Sequence, residues 1–351
     1  MNTVHVVGTG TIGEPLIGLL ADNREAFGID EVTFHKRTPL LTERAKVNDL
    51  VRRGAGLCVD DDKRARFEEL GHAPKFESKE AIERATVVID CTPVGNQNKK
   101  LFYEHASGPV GFMAQGSEYG FGKMYARGIN DEALEHGQDR FLEIVSCNTH
   151  NISVLIKTLA MDPDGTNHLT DGRFLCIRRT SDISQDTDFA PSPTVEKHKD
   201  ARFGTHHARD AHQLFETLGY DLPLFSSAIK VNTQYMHAIH FTLELDREIT
   251  VAEVMEKLTA NKRVAITHKK SANQVFSFGR DHGYFGRILS QTVVAVETLA
   301  VRNRNELVGF CFTPQDGNPM LSTVAAMLWY LHPDEVDARM DVLRPYLFQE
   351  V

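Results

Sequence analysis

Apolar residues along this chain follow two different periods, and the change between them divides the sequence. The apolar run at residues 3–7 is followed by Gly8-Thr-Gly-Thr-Ile-Gly13 and by a stretch in which Leu16, Ile17, Leu19 and Leu20 share one helical face. A second run at 31–35 completes a strand, glycine turn, helix, strand unit. Further short runs at 86–90 and 141–145 predict more buried strands of a parallel sheet. After position 147 the pattern alternates, predicting mostly antiparallel strands at 173–180, 228–232, 240–246 and 263–267, and a hairpin turning at 303–305. An amphipathic helix is predicted over 251–261, with Val251, Val254, Met255 and Leu258 on one face, and two closing helices over 319–331 and 335–347.

The predicted class is therefore α/β: a Rossmann-type parallel-sheet domain built from 1–146 with 315–351, and an α+β catalytic domain with a mostly antiparallel sheet over 147–314. At 351 residues the chain is long enough for two such cores. The Ser-, Asp- and Pro-rich stretch 181–205 has no periodicity and reads as a long loop.

Composition narrows the chemistry. A net charge of −9 argues against a nucleic-acid or anionic-membrane surface, so an anionic ligand needs a local basic cluster. Five cysteines, at 58, 91, 147, 176 and 311, give neither a disulfide framework nor a metal-ligand spacing, which fits a reducing cytoplasm and no metal. No apolar run is long enough to span a membrane, and no signal peptide is recognisable.

The glycine turn directly after a strand is the setting of a dinucleotide site. Gly8 makes the tight turn, Gly10 lets backbone approach a pyrophosphate, Gly13 packs helix on strand, and Thr11 and Ile12 complete the loop. The second strand ends His35-Lys36-Arg37-Thr38 with no acid, and two cations suit the 2′-phosphate of NADP, with NAD the alternative. Thr92-Pro93 and Gln115-Gly116-Ser117-Glu118, at the carboxyl ends of later strands, are expected to line the same crevice.

In the second half, Ser146-Cys147-Asn148-Thr149 opens a helix carrying Ile152, Leu155, Ile156 and Leu159. A cysteine at a helix start meets the positive end of the dipole, which lowers a thiol pKa and suits a nucleophile; a buried packing role is the alternative. Arg178-Arg179 in an apolar strand, the loop histidines His206-His207, and His237 or His240 beside the next strand are the candidate anion-binding groups and base.

These segments together resemble the archaeal-type (type II) glyceraldehyde-3-phosphate dehydrogenases over nearly the whole chain. The resemblance rests on the glycine turn, Val88-Ile-Asp-Cys-Thr-Pro93, the 112–118 segment, Val145-Ser-Cys-Asn-Thr149, Arg178-Arg179, His206-His207 with Asp210, Met236-His237 and Gly279-Arg280. It implies Cys147 as nucleophile and His237 as general base. Asn148, Thr149, Arg178, Arg179, His206 and His207 would bind substrate phosphate. Lys36 would favour NADP. The implied partners are a small phosphorylated aldehyde and inorganic phosphate, in a cytoplasmic homotetramer. The sequence departs from the family at His150, where that family reads threonine. Other acyl-phosphate reductases, of the aspartate-semialdehyde or N-acetylglutamyl-phosphate type, and an NADPH-binding redox sensor built on Cys147 are the alternatives.

Overall fold

The computed structural model describes every residue except Ser117, 184–188 and Gln315. By contacts the chain divides into one unit made of Met1–Tyr125, Leu134–Ile144 and Ser322–Arg344, and another made of Ala126–Ala133, Val145–Leu321 and Pro345–Val351.

The first unit is an eight-stranded sheet. Its strands are β1 (Thr3–Val7), β2 (Glu31–His35), β3 (Gly56–Val59), β4 (Phe76–Glu77), β5 (Val87–Asp90), β6 (Gly111–Gln115), β7 (Lys123–Tyr125) and β8 (Phe141–Ile144). They lie in the order β4-β3-β2-β1-β5-β6-β8-β7, every pairing parallel. The order reverses at β1, the topological switch point of a doubly wound sheet. The connecting helices are α1 (Gly13–Asp22), α2 (Arg44–Arg52), α3 (Arg64–Glu69), α4 (Ser78–Arg84) and α5 (Gly95–Asn98). Leu16, Ile17, Leu19 and Leu20 of α1 are all fully buried, as their spacing predicts.

The second unit holds β9 (Leu169–Arg178), β10 (Thr194–Val195), β11 (Leu224–Lys230), β12 (His237–Leu245), β13 (Val264–Thr267), β14 (Thr292–Arg302) and β15 (Glu306–Thr313). Their order is β10-β11-β9-β12-β15-β14-β13. The β11/β9 and β13/β14 pairs are parallel and the remaining pairs antiparallel, giving the mixed, mostly antiparallel sheet expected. The hairpin turns where the sequence indicates, with Asn303 and Arg304 at φ 49° and 69°. Helices α6 (Cys147–Leu159), α7 (His206–Glu216), α8 (Val251–Ala260) and α9 (Ala272–His282) belong to this unit, and α10 (Gly317–Leu331) starts in it; α11 (Val336–Met340) lies in the first.

Several expected boundaries shift. Strand β12 begins at His237 rather than His240, so both histidines lie inside the strand and on opposite faces of it. His206 and His207 do not close a loop; they form the first turn of α7. The last seven residues, expected in the nucleotide-binding half, cluster with the second unit because the Val351 N–H donates to the Ile266 carbonyl at 2.9 Å. Ser117 and the centre of the 181–205 loop lie outside the described residues. Among the described residues no helix is long and apolar enough to cross a membrane.

Candidate active site

In the first unit, Gly8, Thr9 and Gly10 border a cleft of ≈ 490 Å³ with Lys36, Arg37, Thr38, Thr92 and Pro93. The glycines fit a dinucleotide by sterics. Gly8 is at φ 96°, and a Cβ there would meet Thr92 Cγ2 at 3.0 Å. A Cβ on Gly13 would lie 2.2 Å from the Gly8 carbonyl oxygen, so only glycine lets α1 approach the turn. Gly10 has open space on its Cα, where a pyrophosphate would approach.

The Thr92-Pro93 turn is fixed from below by buried Asp90. One of its oxygens accepts from the Thr92 N–H at 2.8 Å and hydroxyl at 2.6 Å; the other accepts from Asn98 Nδ2 at 2.8 Å and the Tyr103 hydroxyl at 2.7 Å. Sequence reasoning missed this carboxylate because it reads as the last residue of an apolar strand. Thr11, Ile12, Gly13, Gln115 and Gly116 are not among the residues bordering the cleft, and Gln115 Nε2 donates to Thr323 Oγ1 at 2.8 Å.

The cation cluster after β2 is not bare. Lys36 pairs with Glu43, and Lys46 bonds the same carboxylate at 2.9 Å, which holds Glu43 below the usual carboxylate range against the opposing effect of burial. Arg37 is exposed. Although β2 itself ends without an acid, two acids from elsewhere, Glu43 and Asp60, border the cleft, and His35 Nε2 lies 3.2 Å from Asp60.

In the second unit, Cys147 is the first residue of α6. Ser146 caps it from extended backbone, accepting from the Thr149 N–H at 3.4 Å and lying 2.9 Å from the Thr149 hydroxyl. The thiol does not behave as its position suggested. Its side chain keeps partial exposure, but the surroundings of the sulfur are dense, and burial pushes the thiol up to about 12. The Asp316 carboxylate adds to the rise, while Arg179 opposes it. The expected depression of the pKa by the helix start is thus reversed by burial and a neighbouring negative charge.

Register decides which histidine shares a face with α6. His237 lies opposite Thr313 and Ile239 opposite Cys311 in the β12/β15 ladder, and directly opposed residues point to the same side of a sheet. Thr313 and Cys311 bond α6: Asn151 Nδ2 donates to Thr313 Oγ1 at 2.8 Å, Thr313 Oγ1 donates to Asn148 Oδ1 at 3.2 Å, and the Cys311 thiol reaches Asn151 Oδ1 at 3.3 Å. His237 therefore faces the layer that carries Cys147. His240 is on the other face, its ring 4.8 Å from that of Phe310.

The His237 ring is buried, and its Nδ1 accepts the Arg179 backbone N–H at 3.0 Å. Burial first, then Arg179 and Arg178, lower its pKa to about 3. The ring is neutral, and its proton sits on Nε2.

The arginine pair is split. Arg179, with a side chain only 3% exposed, pairs with Asp182, while its Nε is buried without a partner among the described residues. Arg178, 34% exposed, pairs with Glu196, the residue after β10. Arg179 lines a cavity of ≈ 170 Å³ with Arg280, Arg287, Asp316, Tyr235 and Phe276, of which the sequence analysis named only Arg280, as part of the resemblance. They come from separate stretches of the chain, with Phe276 and Arg280 on α9, Arg287 after it, and Tyr235 and Asp316 from elsewhere. The rings of His206 and His207 lie tilted against each other with centroids 4.0 Å apart, and burial lowers both pKa values, so they are neutral groups rather than the cations a phosphate cluster would want. Asn148 and Thr149 are buried, the first tied to Thr313 and the second to the cap, so neither offers an open side chain to a ligand. His150 is fully buried, its Nδ1 donates to the Ser146 carbonyl at 3.1 Å, and burial lowers its pKa to about 4.

No family model matches the sequence. The chain is 24% identical to the glyceraldehyde-3-phosphate dehydrogenase of Pyrobaculum islandicum over 320 residues, which is 88% of this chain and 86% of that one. It is 26% identical to the enzyme of the same name from Methanopyrus kandleri over 319 residues (86% and 84%), and 27% identical to that of Methanobacterium bryantii over 282 residues (76% and 74%). Across most of its length, then, this chain is similar to archaeal proteins named glyceraldehyde-3-phosphate dehydrogenase.

Proposed function

We propose that the protein is a phosphorylating aldehyde dehydrogenase acting on glyceraldehyde 3-phosphate or a close phosphorylated aldehyde, with NADP preferred over NAD. The observation that carries this reading is Cys147 at the capped start of α6, on the layer faced by His237 and near the buried Arg179. In this reading the Cys147 sulfur adds to the aldehyde carbon, and loss of hydride leaves a thioester that inorganic phosphate cleaves to an acyl phosphate. The dinucleotide, when bound, supplies the hydride acceptor. Gly8, Gly10 and Gly13 would hold its pyrophosphate, with the Thr92-Pro93 turn and the cations after β2 beside it. The cavity lined by Arg179, Arg280 and Arg287 is the favoured home of a substrate or inorganic phosphate, since planar guanidinium groups suit oxyanions.

The test is direct. Purified protein should reduce NADP with glyceraldehyde 3-phosphate only when phosphate or arsenate is present. No turnover with any phosphorylated aldehyde would sink the reading, and activity confined to an amino-acid semialdehyde would favour the other acyl-phosphate reductases.

The cofactor preference has its own expected outcome. Replacing both Lys36 and Arg37 by alanine should weaken NADP roughly tenfold to a hundredfold, the worth of hydrogen bonds to a charged group, and leave NAD nearly unchanged. Glu43→Gln should act oppositely, tightening NADP, because Lys36 and Lys46 both spend charge on Glu43 in the present arrangement. Titration of each variant with both dinucleotides reads the difference, and equal losses for NAD and NADP would reject a 2′-phosphate site.

A further inference from the structure

We propose that Lys46 of α2 is a positioning residue for the dinucleotide: its ammonium fixes the glycine turn for the pyrophosphate and cancels the carboxylate beside that turn. The inference rests on the dinucleotide reading above and deepens it.

The glycine turn has little stiffness of its own. Glycines flank Thr9 on both sides, Gly8 is held at φ 96°, and a Cβ on Gly10 would meet nothing within 4 Å. Two backbone bonds anchor its ends: the Gly8 N–H donates to the His35 carbonyl at 3.2 Å, and the Gly10 carbonyl accepts the Glu14 N–H at 3.0 Å. Between them lies the Thr9–Gly10 peptide. Lys46, 37 positions after Thr9 in the chain, holds that peptide by donating from Nζ to the Thr9 carbonyl at 3.2 Å. A peptide unit is planar, so fixing the Thr9 C=O also fixes the Gly10 N–H on its other side. Thr9 and Gly10 both border the cleft, and the Gly10 N–H has no acceptor among the described residues. A held, unpartnered N–H beside a helix start is the kind of donor that a pyrophosphate oxygen takes.

The same ammonium serves two carboxylates. Its Nζ bonds Glu43, at the end of the 3₁₀ turn Leu41–Glu43, at 2.9 Å, and lies 3.4 Å from Glu14 in the first turn of α1. Burial would lower the Lys46 pKa, but the bond to Glu43 and the charge of Glu14 outweigh it and hold the ammonium above its ordinary value. Glu14 suits the positive end of the α1 dipole, yet a pyrophosphate seeks that same end, and the two negative groups oppose each other. Lys46 offsets this repulsion. It does not itself border the cleft, so it acts through the turn and through Glu14. Lys36 and Arg37 differ in this respect, since both border the cleft, where a 2′-phosphate could meet them directly.

The pyrophosphate is common to NAD and NADP, so loss of Lys46 should affect both alike. Binding of each dinucleotide to the purified protein, followed by calorimetry, reads this without turnover. Lys46→Met keeps the length and apolar stem of the side chain, and should weaken NAD and NADP by a similar factor, roughly tenfold. Lys46→Arg, which keeps the charge and the donors, should stay within about threefold of wild type. Adding Glu14→Gln to Lys46→Met should restore roughly threefold for both dinucleotides, because the uncompensated carboxylate is gone. A merely structural role would lower the urea midpoint of Lys46→Met without a matching loss of affinity, and Glu14→Gln would then restore nothing. Lys46→Gln, polar and uncharged, is judged by the same outcomes should the methionine variant not fold. The proposal is overturned if Lys46→Met binds both dinucleotides as the wild type does, if it loses NADP alone, or if removing the Glu14 charge restores no affinity. Wild-type protein that binds neither dinucleotide would overturn the dinucleotide reading together with it, whereas wild-type binding that survives loss of Lys46 overturns this proposal alone.

Discussion

Cys147→Ser should abolish phosphate-dependent NADP reduction, a loss of roughly 10⁴-fold or more in kcat, while leaving dinucleotide affinity within about twofold. The change removes one sulfur and preserves the fold: serine fits the first position of α6, the Ser146 cap stays, and no carbonyl partner is lost, since Asn318 bonds the backbone oxygen of residue 147 and not its side chain. What disappears is thioester formation. Serine has no thiolate to offer, and even the native thiol sits at about 12, so little nucleophile exists before substrate arrives. A burst of acyl-enzyme in the wild type, absent in the variant, would mark the covalent step. Full activity in Cys147→Ser would return residue 147 to the packing role that many buried cysteines play.

The second large effect is on stability. His5, His150 and His237 are held by burial at about 3, 4 and 3, and His207 is also pushed well below its ordinary value. Unfolded, each would bind a proton near pH 6.5; folded, each stays neutral until the pH is far lower. The unfolded state therefore binds more protons across the window from about 6.5 down toward 3–4, and stability must fall as pH falls through it. Each histidine contributes on the order of 1 kcal/mol per pH unit, so between pH 6 and 4 the group removes several kcal/mol, a large share of the margin of an ordinary domain. Asp316 works in the opposite sense. Its folded pKa is raised to about 6, so it disfavours the fold as pH rises from about 4 to 6, offsetting roughly one of the four histidines there. Urea unfolding followed from pH 7 to pH 4 should show the midpoint dropping steeply below pH 6.5. A flat profile would mean that these rings find water or partners in the native state.

Much of the architecture was legible locally. The apolar run, the three glycines and the leucines of α1 specify a strand, a phosphate-type turn and a helix within some twenty neighbouring residues, and each is a short-range property of sterics or period. The same holds for the start of α6, where Ser146 and Thr149 cap the helix that carries Cys147. The hairpin at 303–305 was equally plain.

The two histidines of the Met-His segment show where local reading ends. Three residues apart, they look equally suited to chemistry. Moving the start of β12 from His240 to His237 puts both in one strand, and an odd spacing then sends them to opposite faces. Only the pairing with β15, and the bonds from Thr313 and Cys311 to α6, show which face carries Cys147. The arginine pair is similar: its sequence predicts that one guanidinium turns inward, but not that Asp182 and Glu196 would be waiting for the two of them.

By itself, then, the sequence determined the parts whose physics is short-ranged: the glycine turn of the first unit, the alternation of the second sheet, and a cysteine at the head of a helix. Tertiary structure decided what those parts are like chemically. Burial and the charge of Asp316, more than a hundred and sixty residues away in the chain, raise the thiol that the helix start alone would have lowered, and one backbone N–H chooses which nitrogen of His237 carries its proton. Desolvation and long-range charge depend on what the fold brings within a few ångströms, and no window of neighbouring residues contains that information.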